Sequence, residues 1–235
     1  MAAVPGGGRP YVLLSCATSI DGYLDDATEQ RLLLSNADDL DRVDAVRAGC
    51  DAILVGAGTV RRDDPRLVVR AERLRRARVA RGLPPSPLKV TLTERGDLDR
   101  TARFFTVGDA DRIVYCASPA VPKTTELLDG VATVVDAGDP VDPAWMLADL
   151  AGRGVDRLMV EGGASVHGQF LAAGVADELH LVVAPFFVGD PRAPRFGGDG
   201  PFPWHPGRRA RVVEARQIGD VVLVRYALSP RCPDA

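Results

Sequence analysis

Apolar residues gather along this chain in short runs separated by turn-forming residues, with helical spacing recurring between the runs. Residues 11–17, 51–55, 88–93, 111–116, 131–135 and 158–160 are apolar or β-prone, as expected of strands buried in a sheet. Leu40, Val43, Val46 and Arg47 follow Ser35, Asn36, Asp38 and Asp39, so cap-type and acidic residues open a helix over 35–47. A second helix over 143–150 starts with Asp142 as cap and Pro143 at its first position. Val166, Phe170 and Leu171 mark a short third one. Residues 175–184 read as a strand closing at Pro185, and residues 211–216 and 221–226 flank Gly219-Asp220 as a hairpin. This alternation predicts an α/β fold: a mostly parallel, mixed sheet flanked by helices, with a C-terminal antiparallel hairpin. The Gly/Pro-rich residues 1–10 are expected to be a flexible N-terminus, 11–228 a single domain and 229–235 a tail.

In sheets of this kind, ligands collect beyond the carboxyl ends of the strands. Parallel strands place five turns on one rim: residues 18–21, 56–63, 93–95, the loop at Ser118, and 161–165. In the last of these, Glu161 stands where a buried strand becomes a turn. Gly162-Gly163 then lets backbone approach a ligand closely, and the following helix start offers N–H groups to an anion such as a pyrophosphate. Two glycines alone are better read as a plain tight strand-to-helix turn, so the case for a ligand rests on the rest of the chain. Gly56-Ala57-Gly58 also follows a strand, but Arg61 stands where a dinucleotide fingerprint has its third glycine, so an ordinary Rossmann motif is rejected.

Composition narrows the classes. With 235 residues, 46% of them hydrophobic, the chain can bury a full core. A net charge of −3 argues against a nucleic-acid binder, and the arginine-dense stretch 71–81 reads as a solvated helix face. Cys16, Cys50, Cys116 and Cys232 stand far apart, which suggests reduced thiols, a cytoplasmic setting and no metal site. His180 reads as a hydrogen-bonded histidine within a sheet. No apolar run approaches a membrane span.

The order of motifs resembles a known family. Thr18-Ser19-Ile20-Asp21-Gly22 comes first, then residues 51–67, which include Gly56-Ala57-Gly58-Thr59 and Asp63-Asp64-Pro65-Arg66-Leu67. Arg70, Glu161-Gly162-Gly163-Ala164, Asp177-Glu178, Ala184-Pro185 and Gly189 follow. Together, over residues 11–226, they resemble the riboflavin-biosynthesis reductase domain, of RibD C-terminal type, which has the dihydrofolate-reductase-like fold. The helix over 35–47 looks more like the stand-alone archaeal and fungal reductases than the bifunctional bacterial enzymes. Two departures stand out: Ser15 occupies the place of a Lys of the bifunctional relatives, and Leu33 lies near the place of a family Trp.

The resemblance implies reduction of the ribosyl group of a (di)aminopyrimidine 5′-phosphate to ribityl by NADPH, in a homodimer. It implies that Thr18, Gly56, Gly58, Thr59, Asp63, Gly162, Gly163, Ala164 and Ser165 contact the cofactor, with Thr93 and Ser118 toward its adenosine end. Arg47, Leu67, Arg70 and Glu161 become substrate contacts. The zinc-deaminase motifs H-x-E and P-C-x-x-C are absent from this sequence.

Arg47 and Arg70 suit a phosphate by charge-assisted guanidinium bonds, or serve as surface ion-pair residues. Glu161 and Asp21 are the candidate catalytic residues; Glu161 bonds ribosyl hydroxyls or stabilises an iminium, or as a bland alternative caps the next helix. Asp21 orients a group or relays a proton, or simply builds its turn. Two competing functions stand beside the leading one: a pterin or dihydrofolate reductase, and a non-catalytic nucleotide-binding regulator.

Overall fold

The computed structural model describes residues 8–28, 30 and 32–233. Most of the expected flexible N-terminus, and the end of the expected tail, lie outside the described residues. Contacts divide the described residues into two compact units, with boundaries inside the first helix and the sixth strand: one comprises described residues of 8–10 and 44–159, the other those of 11–43 and 160–233.

The elements are β1 (Tyr11–Thr18), α1 (Ala37–Ala48), β2 (Ala52–Gly56), α2 (Ala57–Asp63), α3 (Glu72–Val79) and β3 (Leu88–Thr93). Next come α4 (Arg103–Thr106), β4 (Arg112–Cys116), a 3-10 turn (Ser118–Ala120), α5 (Val121–Leu127), β5 (Thr133–Asp136) and α6 (Pro143–Gly152). The chain ends with β6 (Arg157–Gly162), α7 (Ala164–Ala172), β7 (Glu178–Val183), β8 (Arg211–Ile218) and β9 (Val221–Ala227). The expected mixed α/β fold and the C-terminal hairpin are both present.

In the first unit the strand order is β5-β4-β3-β2-β6, and the pairings β2/β3, β3/β4 and β4/β5 are parallel. Every residue of β2 is buried, which is why it reads as an unbroken apolar run. Ile53, Val55, Val60, Phe104, Phe105, Val114 and Leu128 form the core of one face. Two cations are buried here against expectation. Lys89, in the middle of the apolar β3 sequence, is 0% exposed, and its Nζ donates to the carbonyls of Phe104 (3.0 Å) and Val107 (2.5 Å). Arg78 is 2% exposed, so the arginine-dense α3 is not a wholly solvated face.

In the second unit the order is β6-β1-β7-β9-β8, with β1/β7 parallel and β7/β9 and β8/β9 antiparallel. Leu34, Val182, Ala184, Ile218, Val221 and Leu223 pack on one face. The edge strand β8 carries Arg211, Glu214 and Arg216 and a register shift between Val212 and Glu214, devices that blunt an open sheet edge. His180 is hydrogen-bonded within the sheet, as expected: Nε2 lies 2.9 Å from Glu178 Oε1, and Nδ1 lies 3.2 Å from Arg42 Nη1.

Several boundaries move for local reasons. The first helix starts at Ala37 because Asn36 caps it, its Oδ1 accepting from Asp39 N at 2.9 Å. Val131 and Ala132 both donate to Leu128 O, which closes α5 and delays β5 to Thr133. Leu67-Val68-Val69, although apolar and β-branched in part, forms no strand.

Candidate active site

In the first unit, β2, β3 and β4 run in the same direction, and register pairs Gly56 with Leu92 and Thr93 with Cys116. Gly56, Thr93 and Ser118 therefore share the carboxyl edge of this sheet. The loop expected over 56–63 is a correction: Gly56 is the extended N-cap of α2, so Gly58 and Thr59 lie in a first helical turn and Asp63 ends the helix. Thr59 and Asp63 are four residues apart and share a helix face. Thr93 is 3% exposed, and its Oγ1 accepts from Gly96 N at 3.0 Å. Gly96 has φ +65°, and a Cβ there would meet Thr124 Oγ1 at 2.1 Å, so this turn admits only glycine. Ser118 Oγ donates to Asp136 Oδ1 at 2.7 Å, and that bond, with one from Gly138 N, holds the Asp136 carboxyl below its ordinary range.

Beyond α2 the backbone turns twice through the left-handed region, at Asp64 (φ 41°) and at Leu67 (φ 45°). A buried leucine in that conformation stores strain, and such outliers concentrate where a site must be shaped. The following segment is held by side chains. Asp44 Oδ1 accepts from Arg70 N (2.7 Å) and Asp44 Oδ2 from Ala71 N (2.8 Å), while Ser86 Oγ accepts from Val69 N (3.0 Å). Arg47 Nη1 reaches Val68 O at 3.5 Å, and Arg75 Nη1 donates to Val69 O (3.1 Å) and Arg70 O (2.5 Å). Three of the expected substrate residues, Arg47, Leu67 and Arg70, are thus brought to one strap. Sequence reasoning missed Asp44, Ser86 and Arg75; the signal for Asp44 was its place three residues before Arg47 on the same helix.

In the second unit, Thr18 ends β1 opposite Val183, and its carbonyl accepts from Ala184 N at 2.8 Å. Ser19 Oγ donates to Asp21 Oδ1 at 2.5 Å and accepts from Tyr23 N at 3.1 Å. The Asp21 carboxylate also accepts from Val188 N (3.1 Å) and Gly189 N (2.8 Å). Desolvation works against the Asp21 anion, but these three hydrogen bonds prevail and lower its pKa. The geometry is that of a carboxylate stapling two turns together.

Glu161 is the penultimate residue of β6, half-buried between buried Val160 and Gly162. Gly162 has φ +123°, and the Gly162–Gly163 peptide is cis. Gly163 caps α7 without a side-chain bond, and His167 N donates to its carbonyl at 3.0 Å. The N–H groups of Ala164, Ser165 and Val166 therefore precede the first intrahelical bond, as expected of an anion-receiving helix start. Behind the turn lies His167, 1% exposed, with its ring 5.6 Å from that of Phe196. Among the described residues neither ring nitrogen of His167 has a hydrogen-bond partner, and burial pushes its pKa down to about 4. Sequence reasoning gave His167 no role. None of the four cysteines is in a disulfide, and among the described residues no cluster of metal-ligating side chains occurs. Nor is any described helix long and apolar enough to cross a membrane.

A family model described as the RibD C-terminal domain matches residues 10–224. The 2,5-diamino-6-ribosylamino-4(3H)-pyrimidinone 5′-phosphate reductase of Archaeoglobus fulgidus is 36% identical over 188 residues, 79% of this chain and 85% of that protein. The reductase of the same name from Methanothermobacter thermautotrophicus is 33% identical over 224 residues, covering 94% and 99%. Among solved structures, the diaminohydroxyphosphoribosylaminopyrimidine deaminase/5-amino-6-(5-phosphoribosylamino)uracil reductase of Thermotoga maritima superposes with a TM-score of 0.74 at 24% identity. That superposition covers 93% of this chain but 56% of the other, so the likeness extends over little more than half of the bacterial protein.

Proposed function

The chain belongs to the RibD C-terminal domain family, and on that premise we propose that it is an NADPH-dependent reductase converting the ribosyl group of a (di)aminopyrimidine ribosylamine 5′-phosphate to ribityl in riboflavin-type biosynthesis. One observation carries this reading: two stand-alone archaeal reductases align over 85% and 99% of their own lengths. The family match over 10–224 supports treating residues 11–228 as one reductase domain.

The donor set of the second unit suits an anionic dinucleotide. Gly162 has a positive φ, and the start of α7 presents main-chain N–H groups to a pyrophosphate. We assign cofactor contacts to Thr18, Gly56, Gly58, Thr59, Asp63 and Gly162, Gly163, Ala164 and Ser165, with Thr93 and Ser118 toward the adenosine end. The bound nicotinamide supplies a hydride.

The acceptor is the C1′=N bond of the ring-opened ribosylamine. Carbon takes the hydride and nitrogen a proton, which water supplies. Glu161 carries a negative charge that favours the cationic, protonated imine, and it accepts from ribosyl hydroxyls. Arg47 and Arg70 hold the 5′-phosphate, and Leu67 shapes the strap from which Arg70 projects. Asp21 acts by fixing the turn after β1 rather than by moving a proton, in keeping with its three hydrogen bonds. We read the enzyme as a cytoplasmic homodimer, which light scattering of the purified protein checks.

The decisive experiment is an anaerobic NADPH-oxidation assay with the diamino and the deaminated ribosylamine phosphates, with dihydrofolate as control. Oxidation with either sugar phosphate and none with dihydrofolate is expected. Binding of the sugar phosphates without oxidation would instead indicate a regulator, and turnover of dihydrofolate alone a folate enzyme.

A further inference from the structure

We propose that Asp44 is a positioning residue for substrate: its buried carboxylate fixes the backbone from which Arg70 presents its guanidinium. The inference rests on the reading of Arg70 as a phosphate ligand. Residues 67–71 belong to no helix or strand, so their backbone polar groups depend on partners from elsewhere. Asp44 supplies two of these, one oxygen to Arg70 N and the other to Ala71 N, and it is 2% exposed. The Arg70 side chain is 41% exposed, with Nε 3.8 Å from Asp44 Oδ1. The carboxylate therefore holds the main chain of Arg70 and Ala71 by hydrogen bonds and faces the Arg70 guanidinium as a longer ion pair, beyond hydrogen-bond reach. Arg75 secures the same strap through the carbonyls of Val69 and Arg70.

A carboxylate suits this place better than a carboxamide. Two separate N–H groups point at its two oxygens, and an asparagine offers one acceptor oxygen together with an NH₂ that opposes the second N–H. D44N should therefore release one end of the strap while conserving side-chain volume.

The test is steady-state kinetics of D44N, R70Q and the double variant, with thermal unfolding alongside. D44N is expected to raise KM for the ribosylamine phosphate about tenfold or more, a change of roughly 1.4 kcal/mol per tenfold. Its kcat and its KM for NADPH should stay close to wild type. In the R70Q background, D44N should add nothing further. A purely structural residue would instead lower the melting temperature and disturb kcat and both KM values together, and additive effects with R70Q would likewise overturn the inference. If R70Q raises KM and D44N does not, the inference falls and the phosphate reading stands. If R70Q itself has a wild-type KM, the phosphate reading falls and the inference with it. Should D44N fail to fold, R75M opens the strap at a half-exposed position and is expected to raise the same KM; an unchanged value there overturns the brace.

Discussion

The Nε2 of His167 lies 3.4 Å from the point that a Cβ on Gly162 would occupy. The turn that opens α7 is thus confined on one side by an imidazole and on the other by its own φ of +123°. Gly162→Ala must meet both constraints, the backbone term alone costing about 1–3 kcal/mol. It is expected to raise KM for NADPH by about tenfold, equivalent to ~1.4 kcal/mol, while the sheet still folds. Cofactor titration by fluorescence and circular dichroism together check this; wild-type cofactor affinity would remove the turn from the cofactor site.

His167 also sets an acid limit on stability. Its folded pKa of about 4 lies below the ordinary value of 6.5 because burial disfavours the imidazolium. Between those values the unfolded chain binds a proton that the folded chain refuses, so stability falls as pH drops from 6.5 to 4. The loss is on the order of 3 kcal/mol. Urea unfolding at a series of pH values should show this slope in the wild type and a flatter one in His167→Phe. Equal slopes in the two proteins would contradict the assignment.

Arg78 donates to three carbonyls, those of Pro84 (2.8 Å), Ala48 (2.9 Å) and Cys50 (2.7 Å). Arg78→Met leaves buried acceptors without their donor and is expected to cost about 2–4 kcal/mol in chemical denaturation. A loss below about 0.5 kcal/mol, the range of ordinary surface substitutions, would show that water replaces the guanidinium.

Glu161→Gln keeps volume and hydrogen-bonding capacity but removes the charge. Turnover is expected to fall by about 10²-fold, the scale of losing one electrostatic stabiliser, with unfolding behaviour unchanged. Wild-type turnover would exclude Glu161 from the chemistry.

The strands were legible because burial on both faces writes itself as a continuous apolar run, as in β2 and in Leu158-Met159-Val160. The hairpin was legible because Gly219 takes the positive φ (59°) that its turn requires. Asp142 was legible as a cap, and it accepts from Ala144 N at 2.8 Å. By contrast, α2 was hidden by two glycines and a run of polar residues that locally favour a loop. Lys89 was hidden because its partners are carbonyls 15 and 18 residues away, and nothing in a strand sequence announces an acceptor at that distance. The same holds for the strap: Asp44 and Arg70 are 26 residues apart, and a β-prone sequence gives no sign that its backbone bonds go to side chains.

By itself, the sequence determined the class of fold, the succession of strands and helices, and the residue types offered at each turn. Those follow from periodicity and local propensity, which act over a few neighbouring residues. Tertiary structure decided how those residues are held. It put Leu67 into a left-handed conformation, buried two cations against carbonyls, turned Asp21 into a staple and bound Arg70 to Asp44. Each depends on a partner far along the chain, where the cost of leaving a buried polar group unsatisfied outweighs local preference.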